Sequence, residues 1–462
     1  MRKKHFFRFR NLIYVAIIAA TLSIASCKQQ PKEVEPFKVE HADWVYNSTI
    51  YEVNVRQFTP EGTFKAFEQH LPRLKDLGVD ILWFMPIHPI GVENRKGSLG
   101  SYYSVKDYYG INPEFGTLDD FKSVVSKAHE LGMKVIIDVV ANHTAHDAVL
   151  ISEHPDWYVR DSSGNVVSPF DWTDVAKLDY SKPELRRYMI DMLKYWIKDI
   201  DLDGFRCDVA GEVPTDFWNE ARKELNKLGK PIFMLAEAEK PELQKFAFDA
   251  DYAWECHHIL NSIAQGSKTV ADLEQYLLKK AATYPKNTIK MNFITNHDEN
   301  SWNGTEFERM GNAVKTMAAL TFVLDGMPLI YSGQEVGFNR RLKFFDKDQI
   351  DWSDSLNMTE LYKKLTALKK NASVLDAGEK GADIFRITTT ADSSIFAFTR
   401  INESQKLFAV FNLSPAEQTF EFTGDAHLNT PYVDYFSNIP AEFSKEQKLT
   451  LKPWEFHIYL NR

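Results

Sequence analysis

The sequence predicts an α/β protein built as a (β/α)8 TIM barrel, with a small inserted domain after the third strand and a C-terminal antiparallel β-sandwich. Three observations predict this fold. Short apolar runs alternate with helix-length segments from about residue 49 to 370, which is typical of a buried parallel sheet with crossover helices. One connection, 142–180, is much longer than the others, and after about residue 375 only short alternating strands follow.

Eight apolar runs are predicted to be the barrel strands. They are 49–58, 79–87, 134–140, 203–209, 232–238, 249–255, 289–296 and 327–333. Helical patterns lie between them, as in 63–78, 117–132 and 183–200, and several of these segments close with glycine, a helix C-cap signal. Eight such units favour a closed barrel, and an open doubly wound sheet is the alternative.

The remaining segments set the predicted domain boundaries. The barrel is expected to span 44–374, with an inserted domain at about 144–180, because long loops in compact domains are usually functional or small domains of their own. The C-terminal sandwich is expected at 375–462, where the runs 383–390, 393–400, 406–414, 418–424 and 448–460 alternate as strands do.

The N-terminus is predicted to be a targeting segment. Five basic residues precede the apolar run 11–26, which is short for a membrane-spanning helix and has the layout of a secretory signal. Ile24-Ala25-Ser26-Cys27 resembles a bacterial lipobox, which implies a signal peptide at 1–26, a lipid on Cys27 and a membrane-anchored lipoprotein. An uncleaved anchor or an ordinary signal peptide is the alternative. Lys28 favours the outer membrane, and 27–43 is predicted to be a flexible tether.

Charge and cysteine content narrow the function classes. The formal net charge is −9 and the body of the chain has no basic block, which argues against a nucleic-acid partner. Cys207 and Cys256 lie in apolar runs and are expected to be buried free thiols. No redox-cofactor, phosphate-loop or zinc motif is evident, and nothing in the sequence indicates an oligomeric state.

Polar residues cluster where four of the predicted strands end. In a barrel, catalytic groups come from these C-terminal ends and the loops that follow. The candidates are Asp138, Asn142, His143, Arg206, Asp208, Glu237, His297 and Asp298.

Arg206 and Asp208 are two residues apart and therefore point to the same side of a strand. Taken alone, they could be a buried structural ion pair. With Glu237 and Asp298 nearby, one carboxyl is expected to have a raised pKa while another stays ionised beside Arg206. One charged nucleophile and one protonated acid at short distance is the arrangement of a retaining glycosidase.

Four segments carry a family resemblance. DVVANH, GFRCDVA, LAEA and FITNHD are similar to the successive signature regions of the α-amylase family, glycoside hydrolase family thirteen. GSYYSVKDYYGINPEFGT and GMPLIYSGQE resemble the family segments after the second strand and at the eighth. The resemblance covers about 44–460 and implies the same barrel, an inserted domain B and a C-terminal β domain.

The resemblance implies a role for each matching residue. Asp208 would be the nucleophile, Glu237 the acid/base, and Asp298 the residue that grips sugar hydroxyls at the cleavage subsite. Arg206 would keep Asp208 ionised. His143 and His297 would hydrogen-bond the sugar at the cleavage subsite, and Tyr103 would stack beneath it.

Many relatives bind structural calcium, and this sequence departs from them at the positions concerned. Asn142 occupies a position where many of them bind structural calcium. However, Lys177 stands where an acidic ligand is usual, and Glu212 replaces a frequent histidine. An ammonium group near Asn142 would repel a divalent cation, so we expect no metal and no required cofactor.

The predicted function is a retaining glycoside hydrolase acting on α-glucosidic bonds, α-1,4 in preference, in starch-like glucans or maltooligosaccharides. Two alternatives remain open at this point. A transglycosylase or sugar isomerase of the same family would be separated by its products from maltoheptaose. A non-catalytic glycan-binding lipoprotein should lack one of the carboxylates, and all three persist.

Overall fold

The structure is a computed structural model that describes residues 39–424, 428, 430–444 and 447–461. The signal peptide, the lipidated Cys27 and 27–38 of the tether lie outside the described residues and stay predictions. In the described part of the chain, no helix has the length and apolarity that crossing a bilayer requires.

The fold is the predicted barrel. Eight parallel strands close into a ring, each pairing with its neighbours in chain order and the last with the first. The strands β1 to β8 span Ile50–Val53, Ile81–Phe84, Lys134–Val139, Gly204–Cys207, Phe233–Ala236, Ala250–Tyr252, Ile289–Asn292 and Met327–Tyr331. All eight lie within the predicted runs and are shorter, because polar loop residues at the C-terminal ends leave the sheet.

Alternation along β4 separates its two faces. Phe205 and Cys207 pack in the layer between strands and helices, whereas Arg206 pairs in register with Asp138 of β3 and contacts it inside the barrel. Cys207 and Cys256 are buried free thiols, as predicted. Gly204 permits close contact with β5, since a Cβ atom there would lie 1.8 Å from the Phe233 carbonyl oxygen.

Helices cover the barrel, and one prediction about them is wrong. The segment 63–78 forms two short helices because Pro72 starts the second one and cannot continue a first. The described α-helices are Val55–Phe58, Phe64–Glu68, Leu71–Asp76, Leu118–Glu130, Val149–Glu153, Pro183–Lys198, Thr215–Asn226, Pro241–Phe246, Trp254–Ala264, Val270–Thr283, Glu306–Met310, Val314–Val323 and Met358–Asn371.

A small two-stranded sheet lies in the long connection after β3. His143–Ala145 pairs antiparallel with Val175–Lys177, and a short helix, Val149–Glu153, follows the first of these strands. We call residues 143–177 the insert. It stands at the C-terminal end of the barrel because it leaves directly from β3.

The C-terminal part is antiparallel, as predicted. Its strands are Ile384–Ile387, Ile395–Ile401, Lys406–Asn412, Gln418–Phe420, Tyr432–Asp434, Pro440–Ala441, Leu449–Leu451 and Phe456–Asn461. They form a six-stranded and a two-stranded sheet around their own apolar cluster. The predicted run 448–460 is two strands, since it turns at Pro453 and Trp454, where Trp454 has φ of 57°.

Residues 39–43 differ from the predicted tether. Val39 and Ala42 are buried, and His41 Nδ1 lies 2.8 Å from Asp249 Oδ1. The packed domain therefore begins before residue 44, because this segment covers apolar surface on the barrel.

Candidate active site

Arg206 lies at the floor of the candidate site, fully buried among carboxylates. Its Nη1 donates to Asp138 Oδ1 at 2.8 Å and to Oδ2 at 2.9 Å. The same nitrogen lies 3.2 Å from Asp208 Oδ1, and Nη2 lies 2.8 Å from Glu237 Oε2. One guanidinium thus contacts three carboxylates on three neighbouring strand ends.

Aromatic rings surround the guanidinium. Its carbon lies 5.1 Å from the Trp83 ring centre and 5.6 Å from those of Tyr103 and Tyr252. Its Nε donates to the Tyr252 hydroxyl at 3.1 Å. These rings exclude water, which strengthens every charge interaction at the floor.

The electrostatics of Asp208 differ from the sequence prediction. Burial and the neighbouring Glu237 carboxylate raise the pKa of Asp208 well above its usual range, and Arg206 opposes this shift without cancelling it. Arg206 is not the partner of Asp208 alone, because Asp138 and Glu237 contact the same guanidinium. Its charge is therefore shared among three carboxylates. Asp208 therefore takes up a proton more readily than an isolated carboxyl does.

Val209 positions Glu237 through strained backbone. Val209 has φ of 35°, in the left-handed region that β-branched residues rarely adopt. This conformation directs its N–H to Glu237 Oε2, which accepts at 2.8 Å. Such strain persists where surrounding structure holds it and is common at active sites. The hydrogen bond from Val209 to Glu237 connects the end of β4 to the end of β5.

His297 forms a second charged network above the floor. Its Nδ1 lies 2.5 Å from Glu52 Oε1, and its Nε2 lies 2.8 Å from the Tyr103 hydroxyl and 3.3 Å from Asp298 Oδ2. The Tyr103 hydroxyl also donates to Asp138 Oδ2 at 3.0 Å. Burial favours the neutral ring, but Asp298 and Glu52 outweigh it and raise the pKa of His297 to about 9.

This pKa predicts a pH dependence of stability. Because the folded-state pKa of His297 is raised from the usual 6.5 to about 9, its contribution is fully present below pH 6.5 and is lost as the pH rises through 9. We expect the free energy of unfolding, measured in urea, to lose about 2–3 kcal/mol through this group over that window. His297→Gln should flatten that slope, and equal slopes in both proteins would contradict the assignment.

His143 lies at the start of the insert and faces the same cavity. Burial lowers the pKa of His143 to about 4, so the ring is neutral at physiological pH. Its Nδ1 lies 3.3 Å from the Asn142 side-chain amide. Its ring edge meets Trp172, with centroids 5.4 Å apart.

The surroundings of Asn142 bear on the calcium prediction. Lys177 is the register partner of His143 in the insert sheet, and Leu178 N–H donates to the Asn142 carbonyl at 3.1 Å. Within the described ranges, no group of three or more His, Cys, Asp or Glu side chains is arranged to hold a metal ion. Calcium prefers several carboxylate and carbonyl oxygens, and a lysine opposes it. Independence from calcium stays a prediction.

A cavity of about 520 Å³ gathers the predicted residues. Of the sequence-predicted candidates, Asp208, Glu237, Asp298, His143, His297 and Tyr103 line it. Arg206 and Asp138 lie beneath them, and Asn142 is behind His143 without lining the cavity. The volume of this cavity and its polar and aromatic lining suit a small number of sugar rings.

Several contributing residues escaped the sequence analysis. Glu52 is a fully buried acid in the middle of β1, and that isolated charge in an apolar strand was the available signal. The cavity is lined from loops by Lys96, Trp172, Asp174 and Phe344, and from the π-helix Glu299–Asn303 by Trp302. Nothing in their local pattern identifies them, because long-range folding brings these loops together.

Comparison with known proteins connects this geometry to a family. The model "Alpha amylase, catalytic domain" matches residues 41–378, and "Maltogenic Amylase, C-terminal domain" matches residues 385–458. The α-amylase MalA of Haloarcula japonica is 27% identical over 394 residues, covering 81% of this chain and 57% of its own length. The chain thus spans little more than half of this curated relative.

Two solved structures resemble the chain along most of its length. An α-amylase from Lactobacillus plantarum is 36% identical, with a TM-score of 0.81 over 90% of this chain and 99% of its own. A maltogenic α-amylase from Thermotoga neapolitana is 31% identical, with a TM-score of 0.82 over 90% of this chain and 98% of its own.

Proposed function

The chain belongs to the α-amylase family of glycoside hydrolases, and we propose that it is a retaining enzyme that cleaves α-1,4-glucosidic bonds in starch-like glucans or maltooligosaccharides. The family membership makes it an enzyme. The bond, the substrate and the stereochemistry are the proposal. One observation carries it: Asp208 and Glu237 contact neighbouring nitrogens of the same guanidinium, at 3.2 and 2.8 Å.

This sharing of one cation favours a double displacement. An inverting glycosidase separates its carboxyls by roughly 6.5–9.5 Å to admit a water molecule, whereas a retaining one keeps them about 5–5.5 Å apart. The Val209 N–H bond holds Glu237 against the residue that follows Asp208. The two carboxyls therefore meet one guanidinium from adjacent strand ends, and in this proposal Asp208 attacks the sugar directly.

In the first step, Asp208 attacks the anomeric carbon and forms a glycosyl ester. The bond to the leaving oxygen breaks, and Glu237 gives its proton to that oxygen. The reactive form of the pair therefore has its proton on Glu237 and an ionised Asp208, with Arg206 balancing the charge. Asp138 holds Arg206 in place beneath both.

In the second step, Glu237 takes a proton from water, and the resulting nucleophile attacks the anomeric carbon. The ester bond to Asp208 breaks, which restores both carboxyls to their starting state. Two inversions give net retention.

The remaining cavity residues bind the sugar at the cleavage point. Asp298 accepts from sugar hydroxyls, and the protonated His297 and neutral His143 hydrogen-bond the same ring. Tyr103 offers an apolar face below it, since its ring is stacked on His297 at 5.3 Å between centroids. Two inward charges, on Glu52 and Asp138, fix the orientation of His297 and Tyr103.

Proton NMR of maltoheptaose hydrolysis tests the proposal. We expect shorter maltooligosaccharides whose new reducing ends appear first as the α-anomer, with the same rate in EDTA. A β-anomer would contradict retention, and cleavage of only α-1,6 bonds in pullulan would contradict the bond assignment. Products longer than the substrate would indicate transglycosylation, and activity restored only by calcium would overturn the calcium prediction.

A further inference from the structure

Two cavities meet at Glu237. A second cavity of about 320 Å³ is lined by Glu212 and residues 238–240, and Val209, Trp172 and Glu237 line both. Asp208, His297 and Asp298 line only the first. An acid protonates the oxygen of the leaving group. The leaving chain therefore lies in the second cavity and the glycosyl chain in the first, an assignment that rests on the proposed function.

Lys96, in the loop 91–100 that follows β2, forms part of the wall of the first cavity. Lys96 Nζ lies 2.8 Å from Asp174 Oδ1 of the insert, and both residues line the first cavity and not the second. Asp174 is held in turn, since its carbonyl accepts from Ser104 Oγ at 3.1 Å. The Asp174 side chain is almost fully buried, whereas that of Lys96 is about one-third exposed.

The other end of this loop is fastened to the loop after β8. Leu99 N–H donates to the Phe345 carbonyl at 2.9 Å. Ser98 donates to Asp346 Oδ1 through its N–H at 2.9 Å and its hydroxyl at 2.6 Å. Trp302 packs on Phe345, with ring centroids 5.6 Å apart. The loop 91–100 therefore contacts the insert through Lys96 and the loop after β8 through Ser98 and Leu99.

We propose that the Lys96–Asp174 ion pair closes the glycosyl end of the cleft and makes the enzyme exo-acting. A chain then enters with its non-reducing end against this wall, and a short product of narrow length range is released from that end. Lys96 donates to hydroxyls of the terminal sugar, and the half-exposed Trp302 supplies an apolar face for a ring. Interior segments of a long or cyclic chain do not fit, because their glycosyl side continues beyond the wall.

The experiment compares maltoheptaose with maltoheptaose blocked at the non-reducing 4- and 6-hydroxyls, with β-cyclodextrin as a substrate without ends. Products are followed by chromatography. We expect the wild type to cleave the blocked and cyclic substrates at least about a hundredfold more slowly than the free one. Lys96→Ala and Asp174→Asn should each raise the blocked-to-free rate ratio about three- to tenfold.

Lys106→Ala is the matched control. Lys106 also pairs with an insert aspartate, Asp147, at 2.8 Å, but neither residue lines the first cavity. Its rate ratio should equal that of the wild type, and tryptophan fluorescence should show each variant folded. Equal cleavage of all three substrates by the wild type would overturn exo action, and an unchanged ratio in both wall variants would overturn the role of the ion pair. Failure to cleave free maltoheptaose would instead contradict the proposed function.

Discussion

Replacing Asp208 with Asn, or Glu237 with Gln, is expected to lower kcat on maltoheptaose by about 10⁴-fold or more. The first change removes the group that bonds to the anomeric carbon, and the second removes the proton that the leaving oxygen needs. Both replacements keep the shape of the side chain, and fewer carboxylates then share Arg206. We therefore expect the folded structure to persist, as measured by urea unfolding. Near-normal hydrolysis in either variant would remove that residue from the mechanism.

Azide distinguishes the two roles. In Asp208→Ala, azide enters the space of the missing carboxylate and displaces the leaving group in one inversion, which gives a β-glycosyl azide. In Glu237→Ala, with an α-maltosyl fluoride that needs no acid, Asp208 still forms the ester and azide opens it, which gives an α-glycosyl azide. The opposite products would exchange the two assignments.

Asp216→Asn is the control for a carboxylate-to-amide change close in sequence. Asp216 lies in the first turn of the helix Thr215–Asn226 and pairs with Arg186 at 2.7 Å, with a side chain that is 73% exposed. Exposed pairs contribute little, on the order of 0–1 kcal/mol. Turnover and stability of this variant should match those of the wild type.

Alternation and strand-end position were sufficient to predict which side chains meet at the floor of the candidate site. Arg206 and Asp208 lie two residues apart, so if one side chain points into the barrel the other does too. Cys207, between them, packs outward against the helices. Register across β3, β4 and β5 then brings Asp138 and Glu237 to the same guanidinium. These are short-range rules applied to a repetitive fold, which is why they succeed.

The rim could not be predicted in the same way. Lys96 and Asp174 are far apart in the sequence, and their contact depends on how the insert folds back over the barrel. The left-handed backbone at Val209 also has no sequence signal, because glycine is the residue that usually marks it. The pKa of Asp208 depends on burial and on a cation shared three ways, which residue spacing does not show.

Arg206→Met is expected to destabilise the fold by about 3–5 kcal/mol, because it leaves buried carboxylates without their cation. Asp138 is fully buried, and Arg206 supplies the cation that opposes its raised pKa. Without Arg206 the folded-state pKa values of Asp138 and Asp208 rise further above their unfolded values. The loss of unfolding free energy is then largest above those pKa values and shrinks as the pH falls and the carboxyls take up protons.

Urea unfolding at pH 5 and pH 7.5, read by tryptophan fluorescence, measures this loss. Adding Asp138→Asn to Arg206→Met should recover part of the stability at pH 7.5, since it removes one unpaired charge and tests the coupling directly. Arg186→Met, which breaks pairs with exposed acids, should cost less than about 1 kcal/mol. The contradicting outcome is a loss of stability in Arg206→Met that does not change with pH and that the second substitution does not relieve. Arg206 would then stabilise the fold by packing among Trp83, Tyr103 and Tyr252. Charge balance at the barrel floor would not depend on it.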